Sequence, residues 1–412
     1  MPKLDQDSGL EEYLAYAALN NPGLEAAFNR WRAALERIPQ VEALPDPRFT
    51  YRYYIREVET RVGAMRQGVG LMQTFPWLGK LALRGDAAAA AAEAERARYE
   101  AAKLKLFHEV TEAYAELYYL HRSLSVVEDN ARLIERLERV IRTRYRATAA
   151  SHPDLIRAQV ELGKLQDRRT SLRELRGPLA ARLNAALNRP ADAELPWPVS
   201  LPQRAMAATD AELLARLEAS SPQLRALDAQ VEQAERQVEL AKKEYYPDVT
   251  LGAEFVDINE PVAGMSPSDA GKDAVAVTAS LNLPIWWDKL SAGVREAKHR
   301  RLAAAMEREQ TRSDLAARLK MAAFRYRDAE RKLTLYRDTL VPKTQQALSA
   351  AEAAFRGGEA SFTDLIDAQR LLLEFSLSAE RAATDRVQRL AEIEMLTGRD
   401  LPSAGEGEEV QP

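Results

Sequence analysis

Two carboxylates three residues apart, Asp364 and Asp367, are the sharpest chemical signal in the sequence. At i,i+3 they share one helix face, and like charges crowded together raise one another's pKa and attract cations. Ser361-x-x-Asp364 is also a capping box, and capping by itself accounts for Asp364. Asp367 lies beyond the first turn, where capping explains nothing, and its counterpart in the other half of the chain is Arg157. Just upstream, Gly357, Gly358 and Ser361 read as a helix–helix turn in which glycine supplies a positive φ. The four histidines, His108, His121, His152 and His299, show no metal-ligand spacing, and Met65, Met72 and Met265 make no metal relay. No Ser-His-Asp pattern, Walker loop or dinucleotide glycine fingerprint is present. No catalytic residue, metal site or cofactor is expected, and the chain is not expected to be an enzyme.

The elements that must position these residues are long. Lys80 to Arg146 is about 67 residues with no proline and only Gly85 as glycine. Phe107, Val110, Tyr114, Leu117, Ile134, Leu137 and Ile141 recur at spacings of three and four, the mark of a coiled-coil seam. At 1.5 Å per residue such a helix is on the order of 100 Å long, which a compact globular domain does not accommodate. The 412 residues carry 29% charged side chains with a net charge of only -4, so there is no basic field for nucleic acid. Cysteine is absent, which excludes disulfides, thiolate metal sites and lipidated cysteines. No apolar run reaches the length of a membrane-spanning helix. Met1 to Asp5 lacks the apolar core of a signal peptide.

The chain reads twice through one pattern. A helix opens at the box Ser8-x-x-Glu11, is interrupted at Asn21-Pro22 and resumes to about Ala43. Strands follow at about 48–57 and 67–75, joined by a charged loop near Thr60 to Arg66. The long helix 80–146 and a return helix 151–187 complete a first repeat, 8–187. A proline-rich linker, 188–208, leads to a second repeat, 209–402, with a helix, strands at about 249–256 and 274–283, a long helix 290–355 and a return helix 361–396. Ser221-Pro222 matches Asn21-Pro22 at an offset of 200, and Asp364-Leu365-Ile366 repeats Asp154-Leu155-Ile156 at 210. The tail 403–412 is expected to be disordered.

The fourth strand alternates. Val275, Val277, Ala279, Leu281 and Leu283 face one way; Ala276, Thr278, Ser280 and Asn282 face the other. That is the dyad pattern of a membrane barrel, and about ten residues span a bilayer when tilted. The first strand is less regular, with Arg52 and Arg56 in it. Trp77, Trp286 and Trp287 lie just past strand ends, Tyr245 and Tyr246 just before one, and Phe49 and Tyr51 open another. All sit at the helix-facing end of the sheet, where an interfacial aromatic belt belongs. A small soluble sheet whose aromatics pack on helix ends fits the same pattern, and the two readings stay open on periodicity alone.

With these residues in place, the sequence resembles the TolC-type outer-membrane efflux proteins from about Ser8 to Pro402. The resemblance is carried by the duplicated order of elements, the junction Phe75-Pro76-Trp77-Leu78-Gly79-Lys80, and the tip from Phe355 to Ala368. The junction looks most like the branch serving heavy-metal efflux pumps. The resemblance implies a mainly α fold with a small β part. Long coiled-coil hairpins form an α-barrel, and four strands join a trimeric 12-stranded transmembrane β-barrel. It implies a homotrimer in the bacterial outer membrane, in contact with its lipid, with a helical tube crossing the periplasm. A periplasmic adaptor and an inner-membrane pump of the RND type are the implied partners, and the implied function is a passive exit duct for the pump's substrates. By the same resemblance Asp364 and Asp367 form a periplasmic gate, and Gly357, Gly358 and Ser361 an adaptor-docking tip. Tyr51, Trp77, Tyr245, Tyr246, Trp286 and Trp287 form the membrane-interface belt. Family precursors carry an export signal, often followed by a lipidated cysteine; this sequence shows neither, so the expectation is either a mature or trimmed form or a departure from the family's export. The first tip, Arg144 to Pro153, lacks the family's glycine. The rival expectation is a soluble coiled-coil scaffold whose short sheet caps a helical bundle.

Overall fold

The structure is a computed structural model that describes residues 4–5, 8–146, 151–260 and 268–398. It is mainly helical with one four-stranded sheet, and it divides into two compact units. One comprises the described residues within Met1–Ala27, Arg98–Leu224 and Thr311–Pro412; the other comprises Phe28–Ala97 and Arg225–Gln310. Each unit draws on both halves of the chain, so the contact division cuts across the boundary of the expected repeats.

The helices begin and end where local chemistry tells them to. In chain order they are α1 (Leu10–Asn20), α2 (Pro22–Glu42), α3 (Lys80–Arg146), α4 (His152–Ala186), α5 (Asp210–Ser220), α6 (Pro222–Lys243), α7 (Trp287–Leu335), α8 (Val341–Gly357) and α9 (Phe362–Thr397). Ser151, Thr209 and Ser361 cap α4, α5 and α9, each accepting the backbone N–H three residues on. The expected Ser8 box is displaced by one residue. Gly9 is the N-cap of α1 and donates its N–H to Glu12, while Ser8 turns back to bond Asp5. The expected single helix 290–355 is also corrected. It starts at Trp287 and is broken by a π-helical turn, Tyr336–Leu340, just before Pro342. A proline cannot donate its backbone nitrogen to the preceding turn, and a widened turn absorbs the lost bond.

The first unit is built on the predicted seam. Val110, Tyr114, Leu117, Ile134 and Ile141 of α3 are all buried. Tyr114, with Val110 and Leu117, packs on Tyr13 and Ala17 of α1, Leu183 of α4 and Val387 of α9. Ile134 and Ile141 join Ala158 and Leu165 of α4, Leu348 of α8, and Phe362, Leu365 and Ile366 of α9. A third cluster sets Leu213 and Leu217 of α5 against Leu315, Leu319 and Tyr326 of α7 and Ile393 of α9. The proline-rich stretch 188–208 is not a free tether. It buries Leu195 and Leu201, and Met206 donates its N–H to the Tyr326 hydroxyl at 2.9 Å.

The second unit carries the sheet, with strands β1 (Arg48–Thr60), β2 (Gly63–Phe75), β3 (Val249–Ile258) and β4 (Ala274–Leu281). They lie antiparallel in the order β1-β2-β3-β4, which leaves β1 and β4 as edges. The expected charged loop from Thr60 to Arg66 is a two-residue turn instead. Thr60 pairs directly with Gly63, and both strands reach up to Arg61-Val62. β4 stops two residues early, at Leu281, where the Asn282 side chain accepts the Asp248 N–H. Residues 261–267, with Met265 among them, lie outside the described residues, as do 147–150 of the first tip and the tail 403–412.

Candidate functional site

The sheet register separates two chemistries. Residues opposite one another in an antiparallel ladder share a face. Phe49 stands opposite Leu71, Leu71 opposite Ala253, and Ala253 opposite Val277. The next row is Tyr51, Val69, Phe255 and Val275; nearer the strand ends by the helices, Phe75, Val249 and Leu281 align. One apolar face therefore crosses all four strands, and it is open. Phe49 is 68% exposed, Val277 82% and Leu71 56%. The opposite face presents Thr50, Arg52, Gly68, Gly70, Thr74, Thr250, Gly252, Glu254, Thr278 and Ser280. Arg52 belongs to this polar face, where its guanidinium meets Glu254 at 2.8 Å. The irregularity expected of β1 thus resolves into ordinary alternation up to Tyr53, after which the register shifts. Tyr51, Val69 and Phe255 extend the apolar face beyond β4, and the next row, Tyr53, Gln67 and Asp257, ends it. Their own alternation in the sequence was the available signal.

Five of the six belt aromatics gather at one end of this sheet, where β1 and β3 begin and β2 and β4 end. Trp77 stacks on Tyr246 with ring centroids 5.2 Å apart, and Tyr245 lies 5.8 Å from Trp287. Trp286 is exposed. Tyr51 stands apart from them, within β1 opposite Val69, and donates its hydroxyl to Gln67 at 3.1 Å.

Under the belt lies a contact that the sequence did not announce. Lys80, the first residue of α3, is 0% exposed. Its ammonium donates to Asp248 Oδ1 at 2.9 Å, to the Tyr246 carbonyl at 3.1 Å and to Glu244 at 3.5 Å. The Trp77 N–H donates to the same Asp248 oxygen at 2.9 Å. Burial pushes the Asp248 carboxyl up, but the Lys80 ammonium and the Trp77 N–H outweigh it and hold the group below the usual aspartate range. The junction before α3 and the junction before β3 are thereby tied by one buried ion pair.

In the first unit, α8 closes on the turn that leads into α9. Gly358 takes φ +82°, and the N–H of Glu359 returns to the Ala354 carbonyl at 2.9 Å. Gly357 is the last helical residue of α8 and adopts no special conformation. Arg144 of α3 reaches across to the Phe355 and Arg356 carbonyls, both at 3.0 Å, and covers the Phe355 ring. Ser361 and Asp364 form the reciprocal box, which holds the Asp364 carboxyl below its usual range through the Ser361 hydroxyl and N–H. Asp367 is separate from that box. Its side chain is 59% exposed and lies 3.4 Å from Arg370. Arg370 is shared with Glu161 of α4, whose carboxyl it holds below the usual range. Further along α9, Arg381 binds Glu116 of α3 through two bonds of 2.9 and 3.0 Å, with Asp385 and Gln388 beside it. Burial raises the Glu116 carboxyl; the bonds from Arg381 and Gln388 prevail and lower it. Arg370 and Arg381, which couple α9 to its neighbours, were not singled out in the sequence because their partners lie more than two hundred residues away. No group of three potential metal-binding side chains occurs among the described residues.

Comparison with known proteins gives a consistent result. The family described as outer membrane efflux protein matches residues 14–189 and 213–399. The cobalt-zinc-cadmium resistance protein CzcC of Cupriavidus metallidurans is 22% identical over 394 residues, covering 95% of this chain and 90% of the relative. Among solved structures, the outer membrane protein VceC of Vibrio cholerae superposes with a TM-score of 0.78 at 19% identity, covering 95% of this chain and 97% of that one. CusC, a transmembrane channel, gives 0.80 at 14% identity with 97% of both chains covered. The MtrE outer membrane channel of Neisseria gonorrhoeae, in its open state, gives 0.78 at 19%, covering 95% of this chain and 89% of that one.

Proposed function

We propose that this chain, which belongs to the outer membrane efflux protein family, is the passive exit duct of a tripartite efflux system. The observation that carries the reading is the sheet: four strands, one open apolar face, one polar face and two free edges. A single chain cannot close a barrel with four strands, since single-chain membrane barrels use about 8 or more. Three chains, with β4 of each pairing to β1 of the next, make a barrel of about twelve strands and remove every edge. The apolar face then meets lipid and the polar face lines the lumen. Trp77, Tyr245, Tyr246, Trp286 and Trp287 sit at the periplasmic interface, and Tyr51 lies deeper in the lipid-facing band. A soluble scaffold leaves that face without an explanation.

The helices form the periplasmic tube. The turn with Gly357, Gly358 and Ser361 is the docking point for a periplasmic adaptor, and an inner-membrane pump of the RND type supplies the energy. The relative named for cobalt, zinc and cadmium resistance supports the heavy-metal branch and metal ions as cargo. At the tube's periplasmic end Asp367 is the gate residue, with Asp364 the lesser member because its capping bonds already employ it. The duct itself performs no chemistry. In planar bilayers the purified protein is expected to open discrete ion-conducting pores. Protein that enters bilayers without conducting contradicts the duct.

A further inference from the structure

In the paired rows of the polar face, charge is sparse. Arg52 and Glu254 stand in its middle, and Arg48, at the first residue of β1, is the remaining charged side chain in those rows among the described residues. Arg52 and Glu254 are not cross-strand neighbours. Arg52 stands opposite Gly68 and Glu254 opposite Gly70, so the ion pair spans from β1 to β3 over the intervening β2. Glycine at both β2 positions leaves the path between the two side chains open. A Cβ on Gly68 would lie 3.7 Å from the Glu254 carboxylate, and one on Gly70 3.9 Å from the Glu254 Cβ. Any longer side chain there would occupy the path of the guanidinium. The pair stays open to solvent, with side chains 50% and 25% exposed. The surrounding rows offer Thr50, Thr74, Thr250, Thr278 and Ser280, which are polar but uncharged.

We propose that the Arg52–Glu254 pair is a charge-selectivity element of the transmembrane lumen, distinct from the acidic residues on α9. The inference rests on the duct reading, in which this face lines the pore. Three copies place three guanidinium and three carboxylate groups at one depth, a mixed ring in which each charge is balanced by its neighbour. Rings of fixed charge set which ions a pore admits. A balanced ring passes cations and anions with little preference. Removal of one member exposes the other, and the lumen at that depth takes its sign. Arg48, one row nearer the helices than Glu254, is the other fixed charge of these rows; it is common to the wild type and the variants, so differences between them report the pair.

The test is the cation-to-anion permeability ratio of single pores in a potassium chloride gradient, for the wild type, Arg52→Gln and Glu254→Gln. Arg52→Gln is expected to raise the ratio and Glu254→Gln to lower it, each by roughly two- to tenfold at low salt. Both shifts are expected to vanish near 1 M salt, where the screening length falls to about 3 Å. A swapped variant, Arg52→Glu with Glu254→Arg, keeps the pair and is expected to return the ratio to that of the wild type. A general loosening of the sheet moves both single variants in one direction and is insensitive to salt. Conducting pores whose ratio is unchanged in both single variants, or shifted the same way in both, overturn this proposal alone. A wild type that forms no pore overturns the duct reading, and this proposal with it.

Discussion

Lys80 and Asp248 form the most consequential single contact in the second unit. A lysine with no exposed surface is tolerable only because its ammonium is matched by a carboxylate and a carbonyl. Removing one partner leaves the other charge stranded, so Lys80→Met is expected to lower stability by roughly 2–4 kcal/mol, and Asp248→Asn by a similar amount. The double variant is expected to recover much of the loss, which a denaturant-unfolding cycle measures. The sign of the pH dependence follows from Asp248. Its carboxyl is held below the usual aspartate range, so its stabilisation is present above the unfolded-state pKa and is lost as pH falls through the lower folded-state value. At the proposed gate the relevant group is Asp367, which is exposed and only loosely held by Arg370. Asp367→Ala is expected to raise single-pore conductance and weaken block by divalent cations. Unchanged conductance together with unchanged block would remove Asp367 from the gate.

At the scale of elements, the tip turn separates two glycines that look alike in the sequence. Gly358 holds a left-handed conformation, whereas Gly357 ends α8 in ordinary helical geometry. A Cβ at Gly358 would meet nothing within 4 Å, so Gly358→Ala is expected to cost about 1 kcal/mol from backbone strain alone. Gly357→Ala is expected to be neutral or slightly stabilising, and thermal unfolding of the two variants distinguishes them. This difference was not legible beforehand, since either glycine of the pair can serve as the left-handed residue. The long helix α3 was legible to its ends, because 67 residues without proline and with one seam admit no other reading. The π-helical turn was not, although Pro342 marked its place. β1 was read short because the register shift after Tyr53 breaks the alternation on which strand reading depends. The gate candidates themselves lay in a short local motif, Ser361 to Asp367. The partners that discriminate between them, Arg370 and Glu161, came from α9 and α4 and needed the fold.

The whole molecule presents a surface that water does not favour. Phe49, Tyr53, Leu71, Val275 and Val277 stand exposed on one side of a sheet with two open edges. Each buried apolar side chain of this size is worth about 1.5–3 kcal/mol relative to exposure, so a single chain in water leaves a large stabilisation unrealised. In the proposed trimer, lipid against that face and neighbouring chains on both edges would supply it. No helix is long and apolar enough to cross a membrane among the described residues. The most direct measurement is the protein mass of the particle in mild detergent, by light scattering with the detergent contribution subtracted. A trimer has a protein mass of about 138 kDa, three times the 46.0 kDa of one chain, and is expected to lose solubility when detergent is withdrawn. A monomer or dimer that stays dispersed without detergent leaves four strands with no means of closing a membrane barrel, and would contradict the proposed duct.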